Sequence, residues 1–195
     1  MPITLNGTTG VVTPGATVGS ITGVLKATSG VVAQAVAGSD YGQLTLATAQ
    51  SATGTAVDFT SIPSWAKRIT VMLNGVSTNG SSSYLIQLGT SGGIENSGYL
   101  GAASTVTTAV ATTANSTGLM FVRNPGSNEA YSGMSIISFL SSNTWSQFAV
   151  TGTTNTATMN SGGSKTLTGT LDRVRITTVN GTDTFDAGTI NISYE

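Results

Sequence analysis

Beyond residue 43 the chain is built from short runs in which apolar and polar residues alternate. In KRITVMLNGV, Ile69, Val71 and Leu73 fall on one side and Thr70, Met72 and Asn74 on the other, the period of two expected of a half-buried strand. SYLIQLG groups Tyr84, Ile86 and Leu88 in the same way, and the Asn79-Gly80 pair between the two runs is a turn signal, because both residues tolerate positive φ. STGLMFVR, YSGMSIISFL and TWSQFAVTG have mixed or two-sided apolarity and read as central strands. In LDRVRITTVNG, Val174 and Ile176 alternate with Arg173 and Arg175 before a turn at Asn180-Gly181, and FDAGTINISYE sets Ile190, Ile192 and Tyr194 opposite Thr189, Asn191 and Ser193. Weaker strands are predicted at 44–50, 55–59, 105–113, 153–159 and 164–170. Roughly eight to ten short strands separated by turn residues predict an all-β fold, a two-sheet sandwich of jelly-roll-like form.

The first forty-odd residues read differently. Gly7, Gly10, Gly15, Gly19, Gly23, Gly30, Gly38 and Gly42 recur every few positions, separating small apolar clusters such as Val11-Val12, Val24-Leu25 and Val31-Val32. No piece is long enough for a stable helix or for a sheet of its own. The sequence therefore divides into an extended Gly/Val-rich segment, 1–43, that must lean on something else, and a sandwich domain, 44–195.

Composition sharpens this picture. Only 8% of the 195 residues are charged, against roughly a quarter in an average soluble protein. Ser and Thr fill about three positions in ten, and β-branched Thr suits a pleated, half-buried surface. With a net charge of −1 and seven Lys and Arg that never cluster beyond Lys67-Arg68, there is no basic stripe to displace counterions from phosphates, so no nucleic-acid partner is expected. The opening residues lack a basic n-region and an apolar h-region, so no secretory signal is expected. The uncharged stretch 96–122 is too often interrupted by Ser, Thr, Asn and Gly for membrane insertion. A sandwich has edges, and Lys, Pro or inward charge commonly blunts them. With four Pro and so little charge, the edges here must be covered by loops or by neighbouring chains.

Catalytic chemistry finds little purchase. The chain has no His and no Cys, which removes the common nucleophile–base pairs and thiolate metal sites. Carboxylate pairs for glycoside cleavage would come from Asp58, Glu95, Glu129, Asp172, Asp183 and Asp186, but most lie beside turn signals or on outward strand positions, where a solvated charge is the ordinary reading. Asp183 and Asp186 could offer oxygen ligands to calcium, against the commoner role of Asp in accepting backbone hydrogen bonds in turns. The sequons at Asn6, Asn115, Asn180 and Asn191 are expected by chance in so Ser- and Thr-rich a chain. We therefore expect neither an enzyme nor a cofactor. Carbohydrate recognition is a further possibility: Tyr131 and Trp145, with Asn128, Asn143 and Asn155 in predicted loops, supply aromatic and amide groups for receptor contact. The competing reading for these rings, and for Trp65, is core filling or an intersubunit contact.

The stretch GVLKATSGVVAQAVAGSDY, residues 23–41, resembles linker modules of tail-fibre and related virion proteins of tailed bacteriophages, in its GVLK element, its Gly-Val stretch and its AVAGSDY element. The block Ala56–Gly93 resembles the start of a β-sandwich domain of phage fibre and prophage structural proteins, and FDAGTINISYE resembles the way that domain closes. Together these blocks cover about a third of the chain. The resemblance implies a homotrimeric virion protein whose N-terminal segment is attached to tail or capsid proteins and whose sandwich projects toward host-surface carbohydrate. A capsid decoration or head-fibre protein is the alternative. Val24, Leu25, Val31, Val32, Ala35, Val36 and Tyr41 would then be the anchoring and oligomerisation residues. Burying one Val or Leu is worth roughly 1.5–3 kcal/mol, so several per chain, threefold repeated, would offset the cost of ordering the segment.

Overall fold

The computed structural model of the chain describes residues 23–29, 31–36, 40–107, 109–123, 125–127, 129–153 and 157–195, with only the backbone at 31 and 32. It divides into two compact units, Met1–Gln43 and Leu44–Glu195. Among the described residues every regular element is a strand, and all pairing is antiparallel.

In the first unit, β1 (Leu25–Thr28) and β2 (Val31–Gln34) form a two-stranded ladder with Leu25 opposite Gln34. This corrects the expectation that the segment has no sheet of its own. The turn between them uses Ser29 at φ 51°, and Ala35 N–H donates to the Val24 carbonyl at 2.7 Å. Lys26 pairs with Asp40 at 2.9 Å, while Asp40 also accepts the Val36 N–H. The local bonds fix a hairpin, yet they bury little: of the unit's described apolar side chains, Ala35 alone is in the buried class.

The second unit runs β3 (Thr45–Leu46), β4 (Gln50–Ser51), β5 (Ala56–Phe59), β6 (Arg68–Thr78), β7 (Tyr84–Thr90), β8 (Gly93–Ile94) and β9 (Tyr99–Val106). It continues with β10 (Val110–Ala114), β11 (Leu119–Val122), β12 (Tyr131–Ser141), β13 (Thr144–Thr153), β14 (Thr158–Thr166), β15 (Arg173–Thr178) and β16 (Phe185–Tyr194). One sheet of nine strands has the order β10-β9-β14-β13-β12-β6-β16-β3, with β4 also on β16. The other has the order β11-β7-β15-β5, with β8 also on β7. A single buried cluster draws Ile69, Val71, Ile137, Ala149 and Ile192 from the larger sheet and Val57, Ile86, Leu88, Val174 and Ile176 from the smaller, so the two layers share one core.

The strand faces expected for β6, β15 and β16 are those observed. Ile69, Val71, Val174, Ile176, Ile190 and Ile192 are all buried. Elsewhere the structure differs from the sequence reading. Residues 105–113 are not one strand but take in the end of β9 and most of β10, and the regions 153–159 and 164–170 both overlap one continuous strand, β14, that runs through Gly162-Gly163. Those glycines permit a close approach, since a side chain at Gly163 would sit 2.6 Å from the Leu100 carbonyl of β9. The Asn79-Gly80 turn does not close a hairpin. It carries the chain from β6 in one sheet to β7 in the other.

The strand β11 is apolar on both sides, but not because it is central. It is an edge strand of the smaller sheet, and all four of its side chains are buried. Its unladdered carbonyls turn toward the larger sheet, where buried hydroxyls and an amide meet them: Ser161 Oγ donates to Met120 O at 2.6 Å, Gln147 Nε2 to the same oxygen at 3.3 Å, and Thr151 Oγ1 to Phe121 O at 3.4 Å. Polar positions in the core thus satisfy an edge that water would otherwise have to reach.

Candidate functional site

The predicted anchoring residues lie largely in the open. Val24, Leu25 and Val36 are 53%, 50% and 58% exposed, and Tyr41 is exposed as well. Ala35 is buried, whereas the side chains of Val31 and Val32 lie outside the described residues.

Of the five predicted receptor-contact residues, Asn128 and Asn155 lie outside the described residues. Tyr131 and Trp145 are not exposed platforms. Both occupy inward positions and are 1% and 3% exposed. Tyr131 packs edge-on against Tyr84 at 5.8 Å and shares a short hydrogen bond with Glu129. Burial, with the neighbouring Glu129 carboxylate, pushes its phenol well above the usual range. Burial also pushes Tyr84 up to about 12. Trp145 lies opposite Phe139 in the β12–β13 ladder, edge-to-face at 5.4 Å. Trp65 packs partly buried against Tyr194 at 5.7 Å.

Asn143 and Trp145 nevertheless come together. Ser142 and Asn143 form the tight connection between β12 and β13, at φ 45° and 60°, a two-residue turn with both central residues left-handed. The Asn143 carbonyl accepts the Leu167 N–H at 3.0 Å. Beside this turn is a pocket of about 130 Å³ lined by Ser64, Lys67, Phe139, Asn143, Trp145 and Thr170, among others. Lys67 Nζ stands 4.6 Å from the Phe139 ring centroid and donates to the Ser64 carbonyl at 3.3 Å. The buried Trp145 Nε1–H makes no hydrogen bond among the described residues. The sequence reading missed Lys67. The SSNT turn sets Phe139 against Trp145, but nothing in it points to Lys67.

A larger hollow of about 410 Å³ lies on the smaller sheet, lined by Thr55, Gln87, Asn96, Thr117, Arg175 and Thr177, among others. That volume falls within the usual ligand range of roughly 300–1,000 Å³. Several of its polar groups already bond within the protein: Gln87 Nε2 donates to the Thr117 carbonyl at 2.9 Å, Thr177 Oγ1 to the Thr55 carbonyl at 2.8 Å, and Arg175 holds Asp58 through two bonds of 2.7 Å.

The carboxylates weighed for catalysis or calcium each have a protein partner. Asp58 pairs with Arg175, Asp172 with Arg173, Glu95 with Lys165, Glu129 with Tyr131, and Asp186 with Ser77. Asp183 accepts the Asn180 amide at 2.6 Å and the Ser82 N–H at 2.9 Å, tying the β15–β16 loop to the β6–β7 turn. Those bonds, the Asn180 one first, hold its carboxyl below the ordinary value. Among the described residues no three metal-binding side chains converge, and no helix is long and apolar enough to cross a membrane.

The pair Glu95–Lys165, 2.7 Å apart and with side chains 17% and 7% exposed, latches the segment after β8 onto β14. Lys165 also donates to Ser97 O, and Glu95 accepts from the N–H and hydroxyl of Thr168. Burial acts to raise the Glu95 carboxyl, but the bonds from Lys165 and Thr168 and the lysine charge outweigh it, leaving a pKa below the ordinary value. A carboxyl depressed on folding stabilises the fold above its unfolded pKa, and that contribution is lost as pH falls through the folded value. Melting temperature is therefore expected to drop as pH falls below about 4.3, the usual glutamate value. Glu95→Gln should melt lower than the parent at pH 7 and show a shallower acid slope. Equal slopes for the two proteins would contradict this assignment.

Comparison with protein-family models, with curated proteins and with solved structures gives no match.

Proposed function

We propose that the chain is a non-enzymatic structural protein of a bacteriophage virion, a homotrimeric fibre. Its N-terminal unit attaches to other virion proteins, and its larger unit, a jelly-roll-like sandwich, faces the host surface. The observation that carries this reading is apolar surface left uncovered in a chain almost without charge. The hairpin unit exposes Val24, Leu25 and Val36 and keeps little apolar side chain for itself, and an isolated two-stranded hairpin is marginal in water. On the larger unit, Leu100, Met134 and Phe148 are 73%, 51% and 58% exposed. The outward positions of β12, β13, β14 and β9 around them, such as Ser138, Val150, Asn160 and Ala102, include no ionisable residue. The edge strand β10, VATTA, is exposed and carries neither charge nor proline, the kind of edge that pairs with another chain unless something blunts it. Contiguous uncovered apolar surface of this sort marks interaction sites.

The jelly-roll reading is supported by strand order. Each of β5-β15-β7-β11 is an antiparallel neighbour of the next, and the chain passes from one layer to the other at β4–β5, β5–β6, β6–β7, β8–β9, β10–β11, β11–β12, β14–β15 and β15–β16. A jelly roll follows this path, here with β3-β16-β6-β12 as the matching part of the larger sheet and with β13, β14, β9 and β10 added beyond β12.

Gold-labelled antibody against the protein on intact particles tests location. Tail labelling is expected. Labelling confined to the capsid would replace the fibre reading with head decoration, and absence from particles would overturn the virion reading altogether.

A further inference from the structure

The pocket beside the β12–β13 turn is rich in hydrogen-bond donors and contains no acid. It is lined by Lys67, Trp145, Asn143, Ser64 and Thr170, with Phe139 as an apolar wall, and no carboxylate is among its residues. Lys67 has no carboxylate within ion-pair reach among the described residues, in contrast to Lys26, Arg68, Lys165, Arg173 and Arg175. The Trp145 indole is 3% exposed, and its N–H has no acceptor among the described residues. A buried donor without an acceptor pays its desolvation penalty uncompensated, and an acceptor entering the pocket relieves it. The carboxylate is the natural candidate, because it accepts at both oxygens, donates at neither and carries the charge opposite to lysine. At about 130 Å³ the pocket holds a protruding group and not a whole sugar ring.

We propose that this pocket is a subsite for the carboxylate of an acidic sugar such as a uronic acid. The carboxylate sits between Lys67 Nζ and Trp145 Nε1–H, and the sugar ring lies outside, over the turn at Asn143. The choice of a sugar as bearer rests on the host-facing reading of the larger unit. The pocket's preference for a carboxylate does not.

The test uses the full-length chain and follows the two tryptophan indole N–H signals by NMR, with Trp65→Phe to assign them, during titration with glucuronate, glucose, glucuronamide and acetate. The Trp145 signal is expected to shift with glucuronate and to stay in place with glucose and glucuronamide. Acetate is expected to bind more weakly than glucuronate. Lys67→Met keeps the aliphatic stem of an exposed side chain, so it should fold normally while weakening glucuronate binding about tenfold or more. An unmoved Trp145 signal with glucuronate overturns the proposal, as does an equal response to glucose. Equal affinity for acetate overturns the sugar part. Competition of purified protein with phage adsorption, run in parallel, separates the two levels. Competition without a Trp145 shift removes the pocket and keeps the host-facing reading, whereas a Trp145 shift without competition does the reverse.

Discussion

Val71→Asp is expected to abolish soluble, folded protein. Val71 is completely buried on β6, paired with Ser135 of β12 on one side and Ile192 of β16 on the other, in the middle of the larger sheet. The substitution loses roughly 1.5–3 kcal/mol of apolar burial and places a carboxylate where no cation can reach it, at several kcal/mol more. Together these approach the about 5–15 kcal/mol that holds an ordinary domain folded. The neighbouring change Thr70→Asp puts the same charge on the outward face and should be tolerated within about 0.5–1 kcal/mol. The contrast reads out strand register, since a slip of one residue would exchange the two results. Expression, solubility and circular dichroism of the pair decide it, and a stable Val71→Asp protein would contradict the buried position.

Gly188→Ala is the second large effect. The register between β6 and β16 shifts on either side of Ala187, and both strands carry a left-handed glycine there, Gly75 at φ 64° and Gly188 at φ 91°. A methyl group on Gly188 would lie 2.4 Å from the Gly75 carbonyl oxygen and 2.6 Å from Val76 Cα. These are backbone atoms of a central strand and cannot swing aside as a side chain can. Strain at positive φ costs of order 1–3 kcal/mol, and overpacking adds a similar amount, so a loss of about 3 kcal/mol or more is expected. For a chain of this size that corresponds to a fall in Tm of about 6–12 °C. A built methyl at Gly75 meets nothing within 4 Å, so Gly75→Ala, which keeps the φ strain and lacks the clash, should cost less. Equal melting temperatures for the two variants would show that the close approach is not as described.

These two positions also show what could be read in advance. Val71 was legible because β6 has one buried face and one wet one, and a period of two then appears directly in the letters. β11 was legible as a strand and misread in place: it is an edge strand whose second face and free carbonyls are covered by the larger sheet, and that covering depends on Gln147, Thr151 and Ser161, about thirty to forty residues downstream. The Gly162-Gly163 pair looked like a break because glycine weakens strands locally, whereas here it admits the backbone of β9. The aromatic residues were left between receptor contact and core filling for a similar reason, since periodicity does not tell which face of a strand meets the second sheet. Trp145 and Asn143 do border one pocket, but Lys67 reaches it from the start of β6, more than seventy residues away in sequence, and only the pairing of β6 with β12 brings it there.

What remains central is the hairpin unit and the charge-free outer face, both of which leave apolar side chains in water in a lone protomer. The proposed trimer would bury them against sister chains, and the absolute mass of the full-length protein in solution tests this most directly. Light scattering across a dilution series should give three times the 19.6 kDa chain mass, persisting to low concentration. A monomer at every concentration would contradict the account.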